Sequence, residues 1–223
     1  NQLGELHDEA VRHVAALLNL AVEARERSAI ARGRTPDASA YDLYIQARGA
    51  LQRYDKPGNI DLAIELLKRA ARQDAHYAAA YASLSEAYYR KYRESKQLSD
   101  LDEARTVGIR AVELDDRLAP AHVNLARIYA ATGDLGGAIR ESEVALRHDP
   151  VNSQARIELA GALAREGKLA EAESVYRAAL ELRPSDWLTM TNLGIFYDAH
   201  GRHRDARDVF TRVAEQIPDS PLA

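Results

Sequence analysis

In the stretch from Val123 to Ala130, the apolar residues Val123, Ala126, Ile128 and Ala130, with the Leu125–Tyr129 pair, recur at helical rather than alternating spacing. A second run, Leu135, Ala138, Ile139, Val144, Ala145 and Leu146, follows the same period. Between them, Gly133 supplies a left-handed residue that ends a helix without steric cost. After them, Pro150 has no amide hydrogen and biases its predecessor away from helix, so the second helix must stop there. The pattern predicts a helix–turn–helix hairpin.

The hairpin returns every 34 residues. Gly133, Gly167 and Gly201 hold that spacing, as do Ala138, Ala172 and Ala206, and Pro150, Pro184 and Pro218. So do Leu125, Leu159 and Leu193, each followed by a small residue, Ala126, Ala160 or Gly194. Small residues at these places let paired helices approach to about 8–10 Å. Geometry fixes only the contact and punctuation sites, and the outer faces drift.

Two irregular units lie upstream. Tyr81, Leu84, Ser85 and Tyr88 mark one first helix, and Ala104 and Ala111 its partner. Tyr88 to Ala104 is 16 residues where Tyr129 to Ala138 is 9, so seven extra residues sit around "RKYRESKQLSD", with no glycine at the turn. Before that, Tyr44, Ala47 and Leu51, then Ala63, Leu67 and Ala70, form a unit interrupted by "DKPGN". The units predicted are 41–77, 78–118, 119–152, 153–186 and 187–220, with 221–223 opening a sixth. Residues 1–35 read as one helix, with Leu3, Leu6, Ala10, Val14, Leu17 and Ala21 near one face, followed by the linker "RGRTPDAS". The chain opens on Asn1 rather than methionine and reads as a fragment of a longer protein.

The recurring leucine, small residue, tyrosine, glycine, alanine, aromatic, alanine and proline resemble the tetratricopeptide repeat. Leu159, Ala160, Leu163, Gly167, Ala172, Tyr176, Ala179 and Pro184 carry the resemblance in one unit. Leu193, Gly194, Tyr197, Gly201, Ala206, Phe210, Val213 and Pro218 carry it in the next. It implies an all-α fold, a right-handed superhelix (α-solenoid) of about five repeats plus an N-terminal helix. The segment "AYDLYIQARGALQRYDKPGNIDLAIELL" is further similar to the repeat region of multidomain bacterial signalling proteins of the serine/threonine kinase, adenylate cyclase or transcriptional activator type.

Composition narrows function by exclusion. Basic and acidic residues number 30 and 34, for a net charge of −4, which does not point to nucleic acid. The basic cluster Arg25, Arg27, Arg32 and Arg34 is short, broken by Glu26, and reads as a solvated helix end. Zero cysteines remove disulfides, thiolate metal sites and a cysteine nucleophile, and leave the compartment open. The most apolar stretch, "VAALLNLAV", is far short of the ~20 residues that span a bilayer.

No active site assembles from the sequence. "GALAREGKL" has the wrong spacing for a phosphate loop, and Leu169 stands where Ser or Thr must hold magnesium. "HGRH" places His200 and His203 around a turn without a third ligand. His122 and His148 read as single contacts, and the pairs Glu171/Glu173 and Asp205/Asp208 as exposed charge on second helices. The expectation is a non-catalytic chain without cofactor or metal.

The remaining candidate is the hollow side of a curved array, lined by first helices. Helical spacing assigns to it Ile45, Gln52, Ala82, Glu86, Tyr89, Val123, Arg127, Ile157, Arg165, Thr191, Ile195 and Asp198. Val123, Ile157 and Ile195 are expected to form an apolar strip that anchors a docked helix or extended peptide. By the family resemblance, Asn124 and Asn192 stand where asparagines bond a ligand's backbone, although Gln46, Ser83 and Glu158 break the ladder. Tyr89 and Tyr92 exceed the needs of the core and lie beside the insertion, either as a recognition hot spot or as packing of a lengthened helix. Self-association through Phe210, Val213 and Ile217 is the second expectation for a partner.

Overall fold

A computed structural model describes residues 35–216. The predicted helix over 1–35, apart from its last residue, and the residues from Ile217 onward, Pro218 included, lie outside them. The described residues form ten α-helices and no strand. In chain order these are α1 (Ala38–Gln52), α2 (Asn59–Gln73), α3 (Ala78–Ser95), α4 (Leu98–Leu114) and α5 (Ala119–Thr132). They continue as α6 (Leu135–His148), α7 (Ser153–Arg165), α8 (Leu169–Leu182), α9 (Trp187–Ala199) and α10 (His203–Gln216). Odd-numbered helices are the first of each hairpin, even-numbered the second. The chain divides into two compact units, one ending at Asn124 and one starting at Leu125, within α5.

In the first unit α1 packs on α2 and α3 on α4, while α2 and α3 join the hairpins. Ala82, Ala111 and Ala121 are buried together with Leu118, and the small side chains permit close helix approach. Tyr77, which repeat spacing does not single out, is 1% exposed, its ring 5.2 Å from that of Tyr44.

In the second unit α7 pairs with α8 and α9 with α10; α6 packs on α7, and α7 on α9. Its core gathers the predicted signature residues Leu159, Ala160, Leu163, Ala172, Tyr176, Leu193, Tyr197, Ala206 and Val213. Gly133, Gly167 and Gly201 take φ of 86°, 83° and 74°, the left-handed conformation expected of turn glycines. Gly194 is small for a different reason. A Cβ there would lie 2.6 Å from the ring of Phe210.

The seven-residue insertion is helical rather than a loop. Helix α3 has 18 residues and α4 has 17, four more than α5 and three more than α6, so each helix gains about a turn. Lys96 fills the glycine's place at the turn with φ 58°. The "DKPGN" interruption remains a connection between α1 and α2, pinned by Asn59 Nδ2 donating to the Arg53 carbonyl at 2.7 Å.

Candidate functional site

The expected apolar strip does not form. Val123 and Ile157 are 4% and 6% exposed, and Ala82 and Thr191 are likewise buried. Val123, Ile157 and Thr191 share one register position, because 34 residues after Ile157 stands Thr191 and not Ile195. That position is turned inward, and Ile157 belongs to the second unit's core. Ile195 lies one helical turn further on and is 55% exposed.

The face that solvent reaches in the second unit is the register of Ile195, Gly161 and Arg127. A side chain added at Gly161 would meet nothing within 4 Å, so the helix surface there is a notch. Arg127 Nε donates to Glu158 Oε1 at 2.8 Å, and Gln154 Nε2 donates to the same oxygen at 2.6 Å. Arg165 is exposed, and its Nη1 donates to the Ala130 carbonyl at 2.6 Å, satisfying an acceptor near the end of α5. Asn192 Nδ2 donates to Leu188 of its own helix at 2.8 Å. Asp198, also exposed, lies 2.8 Å from His203 Nδ1.

In the first unit Ile45 and Gln52 are exposed and Glu86 and Tyr89 half-buried. Glu86 accepts from Arg48 Nη1 at 2.8 Å and from Arg90 Nη2 at 2.7 Å, a charge-assisted link between α1 and α3. Asn124 is buried and donates to the Ala82 carbonyl at 2.8 Å, so its amide ties α5 to α3 instead of facing a ligand. The rings of Tyr89 and Tyr92 lie 6.3 Å apart, tilted by 41°, along the lengthened α3.

Charge on the second helices is not uniformly solvated, as the sequence implied. Glu171 is exposed, but Glu173 is half-buried and accepts from Tyr197 Oη at 2.9 Å and Arg202 Nη1 at 2.7 Å, with Arg177 Nη2 also 2.7 Å away. Burial would raise its pKa, yet the hydrogen bonds from Arg202 and Tyr197 and the charge of Arg177 hold it below the ordinary carboxylate value. The Arg202 guanidinium also lies 4.2 Å from the Tyr197 ring centroid. Sequence offers no sign of this network, because its members come from three elements far apart in the chain. Burial pushes the Tyr176 hydroxyl up to about 12, in keeping with a core position.

Two of the described histidines make local contacts to backbone carbonyls. His122 Nε2 lies 2.9 Å from the Asp116 carbonyl and His200 Nδ1 2.6 Å from that of Phe196. Among the described residues there is no cluster of three or more metal-ligating side chains, and no helix is long and apolar enough to cross a membrane.

Residues 123–186 and 163–223 each match a family model described as the tetratricopeptide repeat. Over 149 residues the chain is 30% identical to Protein O-mannosyl-transferase Tmtc1 of Drosophila melanogaster, covering 66% of this chain but 17% of that protein's length. TTC0263, a thermophilic TPR protein of Thermus thermophilus, is similar in structure with a TM-score of 0.69 at 21% identity, over 81% of this chain and 93% of that one. YrrB, a TPR protein with an unusual peptide-binding site, gives a TM-score of 0.53 at 19% identity, over 91% and 96% of the two chains. These likenesses show the fold. The repeats are tetratricopeptide repeats, and the helical arrangement is that of a tetratricopeptide α-solenoid.

Proposed function

We propose that this tetratricopeptide array is a non-catalytic protein-interaction module, taking a segment of a partner protein along its exposed first-helix faces. The observation that carries the reading is the α7–α9 face of the second unit. There an open notch at Gly161 shares a register with the exposed Ile195, beside the fixed Arg127–Glu158 pair. An apolar anchor next to preoriented charge suits a peptide read by one or two side chains. Ile45, Gln52, Glu86 and Tyr89 offer a comparable face in the first unit. The peptide-binding site in the name of YrrB supports the same use of this fold.

The segment "AYDLYIQARGALQRYDKPGNIDLAIELL" supports a place in a larger bacterial signalling protein, whose remainder is a kinase, a cyclase or a DNA-binding activator. Pull-downs with Ile195→Asp and Gly161→Arg test the interaction surface. Both variants keep the fold, because neither position is packed, and both lose the partner. Undiminished capture by the two variants would sink the reading.

A second reading, self-association, is favoured by an open cleft of 360 Å³ beside α10, lined by Ala206, Phe210 and Ala214 among others. Light scattering over a concentration series tests it, and a monomer at every concentration removes it.

A further inference from the structure

The two insertions that make repeats 1 and 2 irregular meet in space. Residues 54–58 of the α1–α2 connection, with Ile60 and Asp61, face Lys91, Glu94 and Ser95 of the lengthened α3 across a cleft of 510 Å³. Without the extra turn on α3 this wall shortens, and without "DKPGN" the opposite wall disappears. The walls are tied to one another. Lys91 Nζ lies 2.8 Å from Asp61 Oδ1, and the Arg90 guanidinium sits 4.1 Å from the Tyr54 ring centroid. The loop is pre-ordered, because the Lys56 amide donates to the Arg53 carbonyl and the Asn59 amide to the Lys56 carbonyl.

We infer that this cleft is a second recognition site, distinct from the first-helix faces, and that it takes a cationic side chain from an extended segment of a partner protein. Three observations select that chemistry. Lys91 and Asp61 neutralise each other, whereas Asp55 and Glu94 line the cleft with no ion-pair or hydrogen-bond partner for their carboxylates among the described residues, against Lys56 alone. The unpaired balance is therefore acidic. Tyr54 lines the cleft and is 48% exposed even with Arg90 against its ring, so part of its surface is left for a second cation. Pro57 and Ile60 give the stem of a lysine or arginine an apolar wall. The volume falls within the range of about 300–1,000 Å³ typical of ligand clefts.

The test uses the whole chain and two labelled peptides, Gly-Ala-Arg-Ala-Arg-Ala-Gly and the same peptide with glutamate for arginine. The arginine peptide should bind, with amide shifts in NMR spectra clustering at residues 54–58 and 91–95, and the glutamate peptide should not. The double variant Asp55→Lys/Glu94→Lys should weaken binding about tenfold or more, and Tyr54→Ala should weaken it too. Glu143→Lys, an exposed change on α6, should leave it unaltered. Equal binding of both peptides, no binding of either, or shifts that map elsewhere would overturn the inference. Because Ile195→Asp lies outside this cleft, loss of partner through that variant alone leaves the two surfaces distinguishable.

Discussion

Arg202 Nη1 lies 2.7 Å from Glu173 Oε2, joining the turn that opens α10 to the first half of α8. With Tyr197 donating to the other carboxylate oxygen, the contact fastens the fifth hairpin to the fourth at a half-buried site. Charge-assisted bonds of this kind are shorter and stronger than neutral ones.

This carboxylate sets a pH dependence. Its folded pKa is lower than its unfolded one, so its contribution is complete above the ordinary glutamate range and fades as pH falls through the lowered value. Glu173→Gln should cost about 1 kcal/mol at neutral pH and flatten the acid side of the stability profile. Urea unfolding of both proteins between neutral and acidic pH measures this. Parallel profiles would contradict it.

At the turn between α3 and α4, Lys96 holds a left-handed conformation that costs an L-residue about 1–2 kcal/mol. Glycine takes this conformation at the turns of the three following hairpins. Lys96→Gly should raise the urea midpoint, with a gain of about 1 kcal/mol and an unchanged slope.

Gly194→Ala should be destabilising by about 1–3 kcal/mol, because the new methyl meets the Phe210 ring and not solvent. Phe210→Leu in the same chain should recover part of the loss. A thermal scan showing Gly194→Ala at least as stable as the parent would refute the packing described.

Ile157 and Ile195 should separate by phenotype. Ile157→Asp puts a charge into the second unit's core and should cost about 3–5 kcal/mol, enough to unfold that part of the chain. Ile195→Asp should leave circular dichroism and the melting temperature unchanged and act on partner capture alone. The comparison needs only two variants and a melt.

Much of the fold was legible because the same few positions punctuate each of the last three hairpins. The turn glycines, the buried Ala138, Ala172 and Ala206 and the leucine of each first helix fell where periodicity placed them. The interaction surface was less legible. Val123 and Ile157 look like exposed anchors on a helical wheel, but both are buried in the folded chain. A wheel counts residues along one helix and carries no information on how many neighbours close around it.

By itself the sequence determined hairpin count, helix period, turn positions and the absence of thiol chemistry, since each follows from local spacing and residue type. Only the tertiary structure decided that seven inserted residues lengthen two helices, that Glu173 is clamped by three partners, and that residues 54–58 and 91–95 enclose a cleft. Those outcomes depend on side chains far apart in the chain being brought within a few ångströms, and the packing of one hairpin on the next sets those distances.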